Sequence, residues 1–109
     1  MPQQVPTVPV ADLPADAVLL DVREDDEWVH GHAEGAVHIP MGQVPARLAE
    51  VPEADPLYVV CRVGGRSARV VAWLNQNGVD AVNVAGGMGD WEAAGRPLVS
   101  ETGRPPYVR

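Results

Sequence analysis

The chain has 109 residues, 46% of them hydrophobic, with 11 Gly and 11 Pro, which is the composition of a folded domain rather than of a collagen-like or disordered chain. Eight basic against 15 acidic residues leave a net charge of -7, which disfavours nucleic acid and anionic membrane surfaces as partners. The single cysteine, Cys61, excludes an internal disulfide. No apolar run approaches the ~20 residues of a membrane span, and Met1-Pro2-Gln3-Gln4 lacks the basic and apolar regions of a secretory leader. One domain in a cytoplasmic, thiol-reducing setting is the expectation, and a chain of this size buries roughly two-thirds of its unfolded surface without staples.

In chain order, apolar runs rich in branched residues predict strands at residues 5–10 (interrupted by Pro6 and Pro9), 17–22, 36–39, 57–61 and 81–84. Helical signals lie between them. Residues 25–30 carry acids in the first turn, with Gly31 behind as a stop. Val44, Leu48 and Val51 recur at helical spacing, with Pro45 suited to a first turn. A third helix has Ser67 to cap or open it, Val70, Val71 and Leu74 as its apolar stripe, and Gly78 as its left-handed end. A fourth, short helix runs over residues 89–94 and ends at Gly95, and the chain from Arg96 reads as an extended, partly mobile tail. Strands alternating with helices predict an α/β fold with a mostly parallel sheet covered on both faces. The run Leu57-Tyr58-Val59-Val60-Cys61 reads as a central buried strand. Ligands in such folds bind beyond the carboxyl ends of strands, where Cys61 stands.

All eight basic residues are Arg, and residues 56–79 contain no Asp or Glu, where an even distribution would place about three. That window holds Arg62, Arg66, Arg69 and the one thiol. Cys61-Arg62-Val63-Gly64-Gly65-Arg66-Ser67 forms a glycine-containing loop between strand and helix. If it curls around the sulfur, its N–H groups make an anion cradle that Gly64 and Gly65 permit sterically. The start of the next helix adds positive potential, which favours the thiolate. A lone cysteine at a strand end is commonly inert packing; the glycines and arginines beside Cys61 are what mark it as a nucleophile.

Three stretches together resemble the rhodanese-like (sulfurtransferase) domains: residues 19–40, running from Asp21-Val22-Arg23 through an acidic helix to Gly31-His32, Gly35-Ala36 and His38-Ile39-Pro40; the loop CRVGGRS; and Val84-Ala85-Gly86-Gly87-Met88 followed by Trp91. The similarity spans about residues 8–98, and its strongest likeness is to stand-alone single-domain members. It implies a three-layer fold with a five-stranded central parallel sheet flanked by helices on both faces; the domain is assigned to residues 1–98, and residues 99–109, which the resemblance does not cover, are read as an extended C-terminal tail. It also implies that Cys61 takes a sulfane sulfur from thiosulfate or a similar anionic donor as a persulfide and passes it to cyanide or a thiol, by ping-pong chemistry without a metal or organic cofactor. Arg62 and Arg66 then hold the donor, and the amides of residues 62–67 steady the persulfide. Cys61 and Arg66 are separated by one residue fewer than in cysteine-based phosphatases, a smaller ring that suits sulfur better than phosphate.

Two other readings remain open at this level. One is a persulfide carrier or binding module fed by a sulfur-relay partner protein, and the other is a redox sensor oxidised at Cys61. Asp21 and Arg23 read as a structural ion pair near the site rather than substrate ligands. His30, His32 and His38 read as fold-forming positions rather than a metal site. Trp28, Trp73 and Trp91 read as packing, Arg69 as a solvated helix residue, and Glu24, Asp25, Asp26 and Glu27 as a solvated helix start. Without a second cysteine, no internal thiol discharges the persulfide as a disulfide.

Overall fold

In a computed structural model, which describes residues 5–109, the apolar runs become five strands: β1 (Thr7–Pro9), β2 (Leu19–Asp21), β3 (Val37–His38), β4 (Leu57–Val60) and β5 (Ala81–Ala85). The reading of residues 1–4 lies outside the described residues. The strands pair in the order β1-β5-β4-β2-β3, every pair parallel, so β4 is central as its unbroken apolar sequence requires. Of the three α-helices, α1 (Asp25–His30) connects β2 to β3, α2 (Gly65–Gln76) connects β4 to β5, and α3 (Gly87–Ala93) follows β5.

Strand side chains alternate between faces, and β4 supplies both cores. Leu57, Val59 and Cys61 pack with Leu20, Val70, Val71 and Leu74 beneath α2. Val60 packs on the opposite face with Leu19, Val84 and Met88 beneath α3. The sheet is thus the middle of three layers, and the carboxyl ends of β2 and β4 open on the same edge.

The segment expected to form a second helix differs. Residues 41–51 fold as two 3₁₀ turns, Met41–Gln43 and Leu48–Glu50. Their hydrogen bonds are mostly three residues apart, from Val44 N to Met41 O, Glu50 N to Arg47 O and Val51 N to Leu48 O. Pro45 has no N–H to donate to Met41, so the tighter turns satisfy the backbone while Val44 and Val51 still reach the core. Ser67 does not cap α2 but lies in its first turn, its hydroxyl turned to the cysteine. The N-cap is Gly64, at φ 114 in the left-handed region. Gly78, at φ 84, ends α2 as a left-handed residue. Gly31 has an extended backbone; a glycine belongs there because a Cβ would run into the backbone of Tyr107.

Candidate active site

Cys61 follows the last residue of β4 and has no exposed surface. The loop turns back over its sulfur: the Gly64 amide donates to Sγ at 3.0 Å, and the Ser67 hydroxyl lies 3.3 Å away. Burial pushes the thiol pKa up most strongly of any one influence. The Ser67 hydroxyl and the amides of Ser67, Gly64 and Val63 together outweigh it and leave the thiol below its ordinary value. Two causes of opposite sign thus meet at one atom, and the hydrogen bonds win. The twelve-residue α2 begins at Gly65, so its positive end adds to the cradle.

Ser67 has one proton and three acceptors around it: Cys61 Sγ, Gly64 O at 3.2 Å and Asn83 Oδ1 at 2.6 Å. Ionisation makes the sulfur a charged acceptor and draws the proton to it. Asn83, buried in the middle of β5, is a member of the site that the sequence reading passed over; its signal is the one polar residue inside the run Ala81-Val82-Asn83-Val84-Ala85. Ser67→Ala removes a donor from the thiolate, so the Cys61 pKa rises and the acid limb of the pH–rate profile moves to higher pH. Activity on that limb falls by about tenfold while the alkaline plateau changes little. A limb that stays in place in the variant removes Ser67 from control of the ionisation.

The far wall of the loop comes from α3. Met88 N donates to Cys61 O at 2.8 Å and Gly89 N to Arg62 O at 2.9 Å. Gly87, at φ 50, lies where a Cβ would collide with Cys61 O. Gly87 is therefore a consequence of how closely the loop and α3 approach, whereas Gly86, at φ 76, sits where a Cβ would run into the Asp90 side chain.

The arginines do not share one role. Arg66 grips the Glu27 carboxylate with both terminal nitrogens, at 2.6 and 2.9 Å. That hydrogen-bonded pairing holds the Glu27 carboxyl below the usual range and raises the guanidinium further. Glu27 was expected to be a solvated member of an acidic helix start; instead it is partly buried, and also accepts from Glu24 N at 3.0 Å. Arg62 is exposed and donates from Nε to the Arg109 backbone oxygen at 3.1 Å. Gly65 and Val63 are exposed on the outside of the turn, and Arg69 is exposed one turn along α2.

Asp21 and Arg23 lie beside the loop at the end of β2, both without exposed surface. Arg23 meets Asp21 at 2.7 Å and donates to Gly31 O at 2.8 Å, while His38 Nε2 lies 2.7 Å from Arg23 O. Trp28 is stacked between His32 and His38, with ring centroids 3.5 and 4.7 Å away. Residues 99–109 contain no helix or strand, apart from an isolated bridge between Val99 and His32. They run back along the domain, where Tyr107 N donates to His30 O and Val108 N to Glu92 Oε2, and end beside Arg62.

Comparison with known proteins identifies the family and the fold. Residues 10–94 match the rhodanese-like domain family. YtwF of Bacillus subtilis, provisionally named a sulfurtransferase, is 45% identical over 80 residues, covering 72% of this chain and 77% of its own length. YrkF of the same organism, provisionally named a sulfur carrier protein, is 42% identical over 67% of this chain, which spans 40% of YrkF. The crystal structure of SSP1007 from Staphylococcus saprophyticus superposes with a TM-score of 0.73 at 39% identity, over 79% of this chain and 92% of that one.

Proposed function

The chain belongs to the rhodanese-like domain family, whose members here are sulfurtransferases or sulfur carriers, and on that footing we propose that it moves a sulfane sulfur from thiosulfate or a similar donor to a thiophilic acceptor, cyanide or a small thiol, through a persulfide on Cys61. The observation that carries this reading is the pair of donors on Sγ, Gly64 N and Ser67 Oγ, inside a loop that opens a helix. The same donors that favour a thiolate favour the negative outer sulfur of a persulfide.

The steps balance without a cofactor. The thiolate forms a bond to the outer sulfur of thiosulfate while the sulfur–sulfur bond of the donor breaks and sulfite leaves with the electron pair. Cyanide or a thiolate then takes the outer sulfur and returns Cys61 as thiolate. Because Cys61 is fully buried, the donor gains access by local opening of the loop, whose outer residues Arg62, Val63 and Gly65 are already exposed. The setting that fits an unpaired reactive thiol is the reducing cytoplasm. No helix among the described residues is long and apolar enough to cross a membrane.

A carrier role is the second reading, favoured by the likeness to YrkF. Steady-state thiocyanate formation from thiosulfate and cyanide separates the two. The enzyme gives many turnovers per Cys61 with parallel double-reciprocal plots. One sulfur released per protein, and no more, overturns the enzyme in favour of the carrier.

A further inference from the structure

We infer that residues 99–109 form a strap that restrains the opening of the Cys61 loop, so that the chain holds its own reactive sulfur closed until the strap lifts. This rests on the reading of Cys61 as the reacting thiol and concerns the regulation of access to it.

The segment is fastened at successive points along its course. Val99 and His32 exchange backbone hydrogen bonds at 2.9 Å, Glu101 N donates to Val29 O, and the Glu101 carboxylate lies 2.7 Å from His32 Nε2. A turn then brings the chain back: Ser100 Oγ donates to Arg104 O at 2.6 Å and Arg104 N to Thr102 Oγ1 at 3.1 Å. Pro105 and Pro106 stiffen the return run and reduce the entropy it loses on docking. On that run Tyr107 N donates to His30 O on α1 and Val108 N to Glu92 Oε2 on α3, and Val108 packs against the core cluster that includes Val84 and Met88. Arg109 closes the course. Its guanidinium lies 3.9 Å from the Asp26 carboxylate on α1, and its main-chain oxygen, a terminal carboxylate oxygen of the 109-residue chain, accepts from Arg62 Nε at 3.1 Å.

The strap thus joins α1, α3 and the loop. Both helices already hold the loop, α1 through Glu27 and Arg66 and α3 through the amides of Met88 and Gly89. Arg62 directly follows Cys61, which has no exposed surface, so an opening that brings Sγ to a reagent moves Arg62 and breaks its contact with Arg109. The strap itself is lightly held: residues 101–107 and 109 are exposed and Val108 is half-buried, so its contacts open at far lower cost than the sheet does. Gly31 shows how closely the strap passes. The backbone there is extended and suits any residue, and the three nearest atoms that a Cβ would meet all belong to the Tyr107 backbone.

The test is the rate of Cys61 alkylation by iodoacetamide as a function of pH, in the full 109-residue chain. Alkylation needs no sulfur donor or acceptor, so it reads access to the thiolate apart from sulfur transfer. Gly31→Ala pushes Tyr107 away from α1, and Val108→Asp puts a charge into an apolar contact beside Glu92. Each raises the alkaline plateau rate by about tenfold and leaves the midpoint in place, because the Gly64 and Ser67 donors on Sγ are untouched. Two variants that lift the strap at different contacts keep the test decisive should either fold poorly. A plateau that stays at the wild-type rate, or that rises only in step with a loss of global stability in denaturant unfolding, overturns the strap. Faster alkylation in both variants, with no sulfur placed on Cys61 by thiosulfate, supports the strap and overturns instead the persulfide reading.

Discussion

Cys61→Ala folds as the wild type does and loses sulfur transfer by on the order of a thousandfold or more. The fold survives because Cys61 is one small side chain in a cluster that also contains Leu20, Leu57, Val59, Val71 and Leu74, and truncation to alanine removes a single atom from it. Gly64 N and Ser67 Oγ lose their sulfur acceptor, but Ser67 retains Asn83 Oδ1 and Gly64 O. The chemistry does not survive, because the loop amides bind a charge that now has no atom to form on. Thermal unfolding checks the first half and thiocyanate formation the second. Retained turnover in a folded variant removes Cys61 from the mechanism.

The second large effect falls on stability. Asp21→Asn leaves the Arg23 guanidinium without exposed surface and without its carboxylate; one amide oxygen at residue 21 and Gly31 O stay as acceptors, the amide NH2 replaces the second acceptor oxygen, and Nη1 has no partner among the described residues. Removing one member of a buried pair typically costs about 3–5 kcal/mol, a large share of the stability of a domain this size. The loss spreads beyond the pair, since Arg23 ties the end of β2 to the end of α1 through Gly31 and to β3 through His38. Denaturant unfolding measures the cost. The double variant Asp21→Leu with Arg23→Met recovers most of it, because a well-packed apolar pair needs no desolvation to be offset. A single variant as stable as the wild type contradicts the structural role of the pair.

The parts of this architecture that were legible in sequence are those whose causes are local. The central position of β4 follows from five consecutive apolar or small residues, and the Cys61 loop follows from glycines, a cysteine and a helix start within seven positions. What was not legible depends on partners far along the chain. Glu27 looks like one of four solvated acids until the fold places Arg66, 39 residues later, against it. Asn83 interrupts an apolar strand for a reason that appears only when Ser67 is beside it. Gly31 reads as a helix stop, and its requirement comes from the passage of Tyr107 across it. The spacing of Val44, Leu48 and Val51 fits two 3₁₀ turns as well as an α-helix, and the proline between them decides for the turns. Charge counting along the chain fails for the same reason as periodicity does: it registers neighbours in sequence and not across the sheet edge.

The central claim is that Cys61 carries the sulfur. The direct measurement is the intact mass of the reduced protein after incubation with thiosulfate, with Cys61→Ala alongside. The account predicts a gain of about 32 Da, one sulfur atom, on the wild type alone, reversed by excess thiol or by cyanide. No gain on the wild type, or the same gain on the alanine variant, contradicts it.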